Sequence, residues 1–169
     1  MTREELQTIL DKHKKWVFDE AGGERADLRG AYLREADLRG ADLREADLRG
    51  AKIEDQTLNK IFPISCPDSG AFVGWKKCSY NRIVKLIIPE DAKRCSAFGR
   101  KCRCDKAVVL DIQDRDGNSI DGPAISKHDS AFLYVKGQEV SVPDFDDDRR
   151  NECSTGIHFF ITRQEAVNY

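Results

Sequence analysis

The chain has 169 residues, with 28 Lys and Arg against 30 Asp and Glu, and a formal net charge of -2. That length fits one ordinary domain, or a small domain with an appended module. The near-neutral balance excludes a strongly basic nucleic-acid binder and a strongly acidic duplex mimic.

No apolar stretch approaches the roughly 18 residues of a spanning helix, so no membrane partner is expected. The opening MTREELQTIL lacks the apolar core and cleavage site of an export signal, which places the expected location in the cytoplasm. There the six cysteines are expected as reduced thiols rather than as a disulfide framework.

In chain order, Thr2 and Glu5 have capping-box spacing, and Leu6, Ile9, Leu10, Trp16 and Val17 follow at roughly helical intervals. The spacing predicts an amphipathic capping helix over residues 2–18, within an N-terminal segment 1–25, with Trp16 turned toward the core and Gly22-Gly23 ending it. From Ala26 the chain repeats every five residues: ADLRG, AYLRE, ADLRG, ADLRE, ADLRG, AKIED and a decayed QTLNK ending at Lys60. The central position is Leu28, Leu33, Leu38, Leu43, Leu48, Ile53 and Leu58, and Ala26 to Ala51 recur two residues before it. A period of five matches neither a helix nor a strand, so the chain must turn a corner once per repeat.

This pattern resembles the pentapeptide-repeat family. The resemblance implies a short right-handed quadrilateral β-helix over residues 26–60, with four repeats per coil. Well-known members imitate duplex DNA with a long acidic rod. Here residues 26–60 carry eight acids and seven bases in alternation, so no continuous negative face forms, and duplex DNA is not an expected partner. A stub of fewer than two coils needs caps, and its exposed edge could serve a homo-oligomer.

Residues 61–70, with Phe62-Pro63 and Cys66-Pro67, read as a linker. Strand signals then dominate residues 71–169, at 71–75, 83–88, 107–113, 131–135 and 156–162. Asp114 to Ser119 reads as a turn, and Thr162 with Glu165 caps a final helix over 163–168. The fold class is therefore α+β, mostly β: capping helix, repeat stub, then a β-rich α+β C-terminal domain.

Charge is segregated in that domain. Residues 76–106 hold ten bases and three acids, and residues 107–152 hold five bases and eleven acids. Lys93, Arg94, Arg100, Lys101 and Arg103 form the densest basic cluster and are the candidate site for an anionic ligand. The competing arrangement pairs them with the acidic loop Asp144 to Asp148. Cys102, Cys104, Cys153 and His158 supply three thiols and an imidazole, a donor set acceptable to zinc. No catalytic set is read from the sequence.

Several C-terminal segments resemble an uncharacterised domain found after pentapeptide repeats in phage and bacterial proteins. They are Ile88-Pro89-Glu90-Asp91-Ala92, Lys101-Cys102-Arg103-Cys104-Asp105-Lys106-Ala107, Val142-Pro143-Asp144-Phe145-Asp146 and Glu152-Cys153-Ser154-Thr155-Gly156-Ile157-His158-Phe159-Phe160. That resemblance implies a phage-type accessory protein and supplies no reaction. Gly156-Ile157-His158-Phe159, followed by Ala166 and Tyr169, is also similar to the nicotinamide-holding strand and helix of ADP-ribosyltransferases. Tyr134-Val135-Lys136-Gly137 stands where that family carries His or Arg before Gly. The similarity implies a nucleotide pocket of Tyr134, Lys136, Gly156, His158 and Tyr169, with NAD as the alternative cofactor. The family's catalytic Glu has no counterpart before Tyr169.

The expected function is a non-enzymatic binding protein. Its partner is a host protein or a small anionic nucleotide, and its role is to counter host defence. An NAD-binding transferase-like protein and a zinc-stabilised module are the alternatives.

Overall fold

The computed structural model describes residues 1–34, 36–54, 58–59, 62–151 and 153–169. The last repeat is thus described only at Leu58 and Asn59. The protein is a mixed α+β fold, mostly β, with an N-terminal helix. It divides into two compact units. One comprises Met1–Ile64, Ala97–Gly99 and Asp148–Cys153; the other comprises Ser65–Ser96, Arg100–Asp147 and Ser154–Tyr169.

In the first unit, α1 spans Arg3–Val17. Thr2 N donates to Glu5 Oε2 at 2.7 Å and Glu5 N donates to Thr2 Oγ1 at 3.1 Å, so two orphan amide donors are satisfied reciprocally. Leu6 and Leu10 are buried as the periodicity predicts. The third buried residue of the stripe is His13, which the sequence did not single out. Its Nδ1 accepts from Ala26 N at 3.1 Å, which fastens the helix to the first repeat. Trp16 stacks on His13 at 5.6 Å and stays 36% exposed, so it covers the imidazole rather than filling the core. Gly23 passes so close to the helix that an added Cβ would lie 2.4 Å from Trp16 N.

Leu28, Leu33, Leu38, Leu43, Leu48 and Leu58 are at most 1% exposed and form one core with Leu6 and Leu10. In each of the first five repeats the central leucine's carbonyl accepts from the amide of the alanine three residues on, as in Ala31 N to Leu28 O at 3.1 Å. That bond is the corner the five-residue period requires. Parallel bridges join Asp27 to Asp47 and Tyr32 to Lys52, so the chain returns to pair with itself after twenty residues, or four repeats. Asp and Arg pair inside a repeat: Asp27 with Arg29, Asp37 with Arg39, Asp42 with Arg44 and Asp47 with Arg49. Within the same unit Phe62 and Phe98 meet edge to face at 5.2 Å against the leucine core. The buried Arg149 donates to Asn59 Oδ1 at 2.5 Å and to Ala97 O at 2.9 Å.

In the second unit, β1 (Phe72–Lys77), β2 (Ile83–Ile88), β5 (Lys106–Gln113) and β8 (Glu139–Ser141) form an antiparallel sheet in the order β1-β2-β5-β8. A second sheet has the order β3 (Arg94–Ser96), β4 (Cys102–Cys104), β9 (Ile157–Phe159). β6 (Ala124–Ile125) pairs with β7 (Leu133–Tyr134). A bridge between Trp75 and Phe160 joins β1 to the end of β9, with reciprocal amide bonds of 2.8 and 2.7 Å. Gly74 permits this approach, since a Cβ there would lie 2.7 Å from Phe159 Cδ2. The chain then turns into α2 (Arg163–Asn168), capped by Thr162 and Glu165. The strand expected over 156–162 is therefore only three residues long, because the Thr162 capping box claims the chain for the helix.

Candidate functional site

β1 continues two residues past the predicted end of its strand, and those residues are Lys76 and Lys77. The Trp75–Phe160 bridge sets them beside β9. Lys76 is 8% exposed. Its Nζ donates to His158 O at 3.2 Å and lies 5.8 Å from the centre of the Tyr134 ring. Burial pulls the Lys76 amine below the usual lysine range, and the Lys101 and Lys127 charges add to this. Lys77 Nζ donates to Val167 O at 3.1 Å.

Lys101 Nζ and Lys127 Nζ lie 5.5 and 5.7 Å from the centre of the Tyr169 ring, and Tyr169 packs on Phe160 at 5.2 Å. An aromatic face attracts cations, so one ring holds two lysine heads close together. Lys76, Lys77, Lys101, Lys127, His128, His158, Phe160 and Tyr169 line one cleft. None of these lining residues is acidic. The enclosed part of the cleft holds about 10 Å³, the space of a single water, so a ligand must seat at its open mouth.

His158 Nε2 lies 2.9 Å from Ser154 O. A carbonyl only accepts, so Nε2 carries the proton and Nδ1 keeps a lone pair. Burial, then the Lys76 and Lys101 charges, push the imidazole down to about 4, so it is neutral at physiological pH.

Of the five basic residues expected to form an anion site, only Lys101 lines this cleft. Arg94 is a structural clamp: it donates to the carbonyls of Pro67, Gly70, Pro89, Glu90 and Ala92 and lies 5.2 Å from the centre of the Phe72 ring. Arg103 is 2% exposed, with Nε donating to Asp146 O at 3.1 Å. Arg100 pairs with Glu165 at 2.7 Å, and Lys93 is exposed on the β3 approach. Structural carbonyls claim Arg94 and Arg103 and a carboxylate claims Arg100, so the sequence cluster makes no single patch.

Of the expected nucleotide pocket, His158 and Tyr169 come together in the cleft, and Tyr134 lies beneath Lys76. Lys136 is not part of it; its Nζ pairs with Asp111 at 3.0 Å and donates to Ser119 Oγ. Gly156, at φ 145°, is a packing glycine: a Cβ there would come 3.1 Å from the Phe145 ring.

The four proposed zinc donors do not converge. Among the described residues no group of three or more His, Cys, Asp or Glu side chains is placed to hold a metal ion. Cys102 and Cys104 are buried, their thiols donating to Arg100 O and Ile157 O; a hydrogen bond with Cys66 and then burial push the Cys102 thiol up, and burial pushes up that of Cys104. His158 points to the opposite face of its strand from their partners Phe159 and Ile157, and Cys153 belongs to the first unit. None of the six cysteines forms a disulfide. Among the described residues no helix is long and apolar enough to cross a membrane.

Residues 62–166 match the family described as "Family of unknown function (DUF5758)", and residues 24–55 match "Pentapeptide repeats (8 copies)". No curated protein and no solved structure matches the chain.

Proposed function

The chain belongs to the DUF5758 family of unknown function, and from that premise we propose that it is a non-enzymatic binding protein that captures a small anionic nucleotide in the lysine cleft. One observation carries the reading: Lys76, Lys77, Lys101 and Lys127 line one cleft with Tyr169, and no acidic residue lines it. Lysine ammoniums recognise phosphate as point charges, and an exposed aromatic ring offers a face for a base. Tyr169 is 52% exposed. The neutral His158 adds an acceptor without charge.

The repeats serve in this reading as a right-handed quadrilateral β-helix stub, a platform rather than a binding rod. Pairing at twenty-residue intervals and one corner per repeat support that reading. In a phage-type setting, such a protein in the host cytoplasm would counter defence by removing a nucleotide signal.

The test is calorimetric titration of the full chain with AMP, ADP and NAD at low and high salt. Saturable binding that weakens with salt, and weakens at least about tenfold in Lys101→Ala/Lys127→Ala, is expected. No binding by any of the three, or binding indifferent to the double substitution, overturns the reading.

A further inference from the structure

The second repeat breaks the charge rule of its neighbours. Repeats one, three, four and five carry Asp before the central leucine and pair it with the Arg two residues on. Repeat two reads AYLRE, so Tyr32 stands in the Asp position and Arg34 lacks that carboxylate. Tyr32 is 82% exposed, and among the described residues Arg34 has no ion-pair partner.

Tyr32 also presents open backbone. Lys52 N donates to Ala31 O at 2.7 Å, and Leu33 N donates to Lys52 O at 2.9 Å. Those bonds use the groups on either side of Tyr32, so in a parallel ladder its own N–H and C=O turn to the opposite edge. Among the described residues neither has a partner. A donor and an acceptor on an open edge are what an added strand pairs with.

Tyr32 lines a groove of about 750 Å³ between the start of α1 and repeats two and three. Leu6 and Leu10 give this groove apolar lining, and Arg3, Asp37 and Arg39 give it charge. Asp37 is already engaged: Arg39 donates to both its oxygens, at 2.9 and 2.7 Å, and holds the carboxyl well below the usual carboxylate range. Arg3 has no ion-pair partner among the described residues. The uncompensated charge of the described lining is therefore positive. The groove shares no residue with the lysine cleft.

We propose that this groove docks an extended acidic peptide segment of a partner protein, which adds a strand on Tyr32 and sets its carboxylates against Arg3 and Arg34. Main-chain bonds supply the docking, and side chains supply the selection. The guanidinium fork matches a carboxylate in two bonds. A lysine-rich segment meets three arginines and is repelled.

The experiment follows fluorescence polarisation of three labelled octapeptides titrated with the full chain. They are the acidic TEVEVEVT, the basic TKVKVKVT, and the acidic sequence with N-methylated backbone amides. Saturable binding of the acidic peptide is expected, at least about tenfold tighter than of the other two. Tyr32→Asp should weaken it at least about tenfold. That substitution turns AYLRE into ADLRE, the sequence of repeat four, which this chain already folds, and it gives Arg34 its own carboxylate. Arg3→Ala, on α1 rather than in the repeats, should weaken binding in the same direction. No binding of the acidic peptide, or binding indifferent to Tyr32→Asp, overturns the proposal. Equal binding of the N-methylated peptide also overturns it, because attraction between charges alone needs no added strand. Sedimentation of the chain without peptide tests the other occupant. A dimer that Tyr32→Asp converts to monomer would give the edge to a second copy of this chain and overturn the acidic partner.

Discussion

The two units handle charge in opposite ways. In the repeat unit each Asp accepts from the Arg two residues on, so Asp27–Arg29, Asp37–Arg39, Asp42–Arg44 and Asp47–Arg49 neutralise locally. The Arg29 guanidinium holds the Asp27 carboxyl down at about 2. In the second unit, lysines from positions 76, 77, 101 and 127 collect in one cleft, and no acid lines it. Local cancellation leaves the repeat surface with little uncompensated charge. A site must leave charge uncancelled and is held together by the fold around it.

The repeat's stability should therefore reside in its leucines. Leu33 is fully buried within the core that joins α1 to the coil. Leu33→Ala should cost about 2–5 kcal/mol in urea unfolding, through lost burial and the cavity left behind. A loss below about 1 kcal/mol would break the comparison, because the coil would then be held by its surface pairs.

In the second unit the largest pH effect should come from His158. Its folded-state value of about 4 lies below the unfolded value of about 6.5, so the unfolded chain binds the proton first. Stability therefore falls as pH drops from about 6.5 toward 4, by at most about 3 kcal/mol. The buried His13 shifts in the same direction and adds to the loss in the first unit. Urea titrations at pH 7 and pH 4.5 on wild type and His158→Gln measure the share of His158; an identical pH slope in the variant would remove it.

Lys76 sharpens the contrast from the other side. Lys76→Met keeps the aliphatic stem and removes the desolvated head. It should raise the unfolding free energy by about 1–2 kcal/mol while weakening AMP binding at the cleft. Stability gained as binding is lost is the mark of a site. A destabilised variant would instead make Lys76 Nζ to His158 O a structural bond.

The repeat was legible because its information is local. The corner, the leucine core and the Asp–Arg pairs all lie within five residues, and the period repeats them. The antiparallel β1, β2 and β5 were readable from apolar runs for the same reason. The short strands β3, β4 and β8 were not, since three residues with charged or thiol side chains carry no period. The cleft was legible only in part. Lys101, His158 and Tyr169 were marked in the sequence, but Lys76, Lys77 and Lys127 were not, because strand register and a single bridge at Trp75–Phe160 bring them in. The basic run 100–103 misled because its members take different partners: Arg100 pairs with Glu165 and Arg103 is buried with Nε on Asp146 O, so only Lys101 reaches the cleft.

The smallest effect is expected where local cancellation is most visible. Asp42 and Arg44 form a two-pronged pair at 2.5 and 2.9 Å, with Asp42 the better covered of the two. Asp42→Asn removes the carboxylate yet keeps an oxygen that still accepts from Arg44 N, so the corner survives. Surface pairs of this kind contribute below about 1 kcal/mol, and salt screens them further. The expected result is a loss of a few tenths of a kcal/mol at low salt that vanishes near 1 M salt. A loss above about 2 kcal/mol that persists at high salt would mean that the pair positions the backbone, and the repeat's charges would then belong to its architecture rather than to its solvated face.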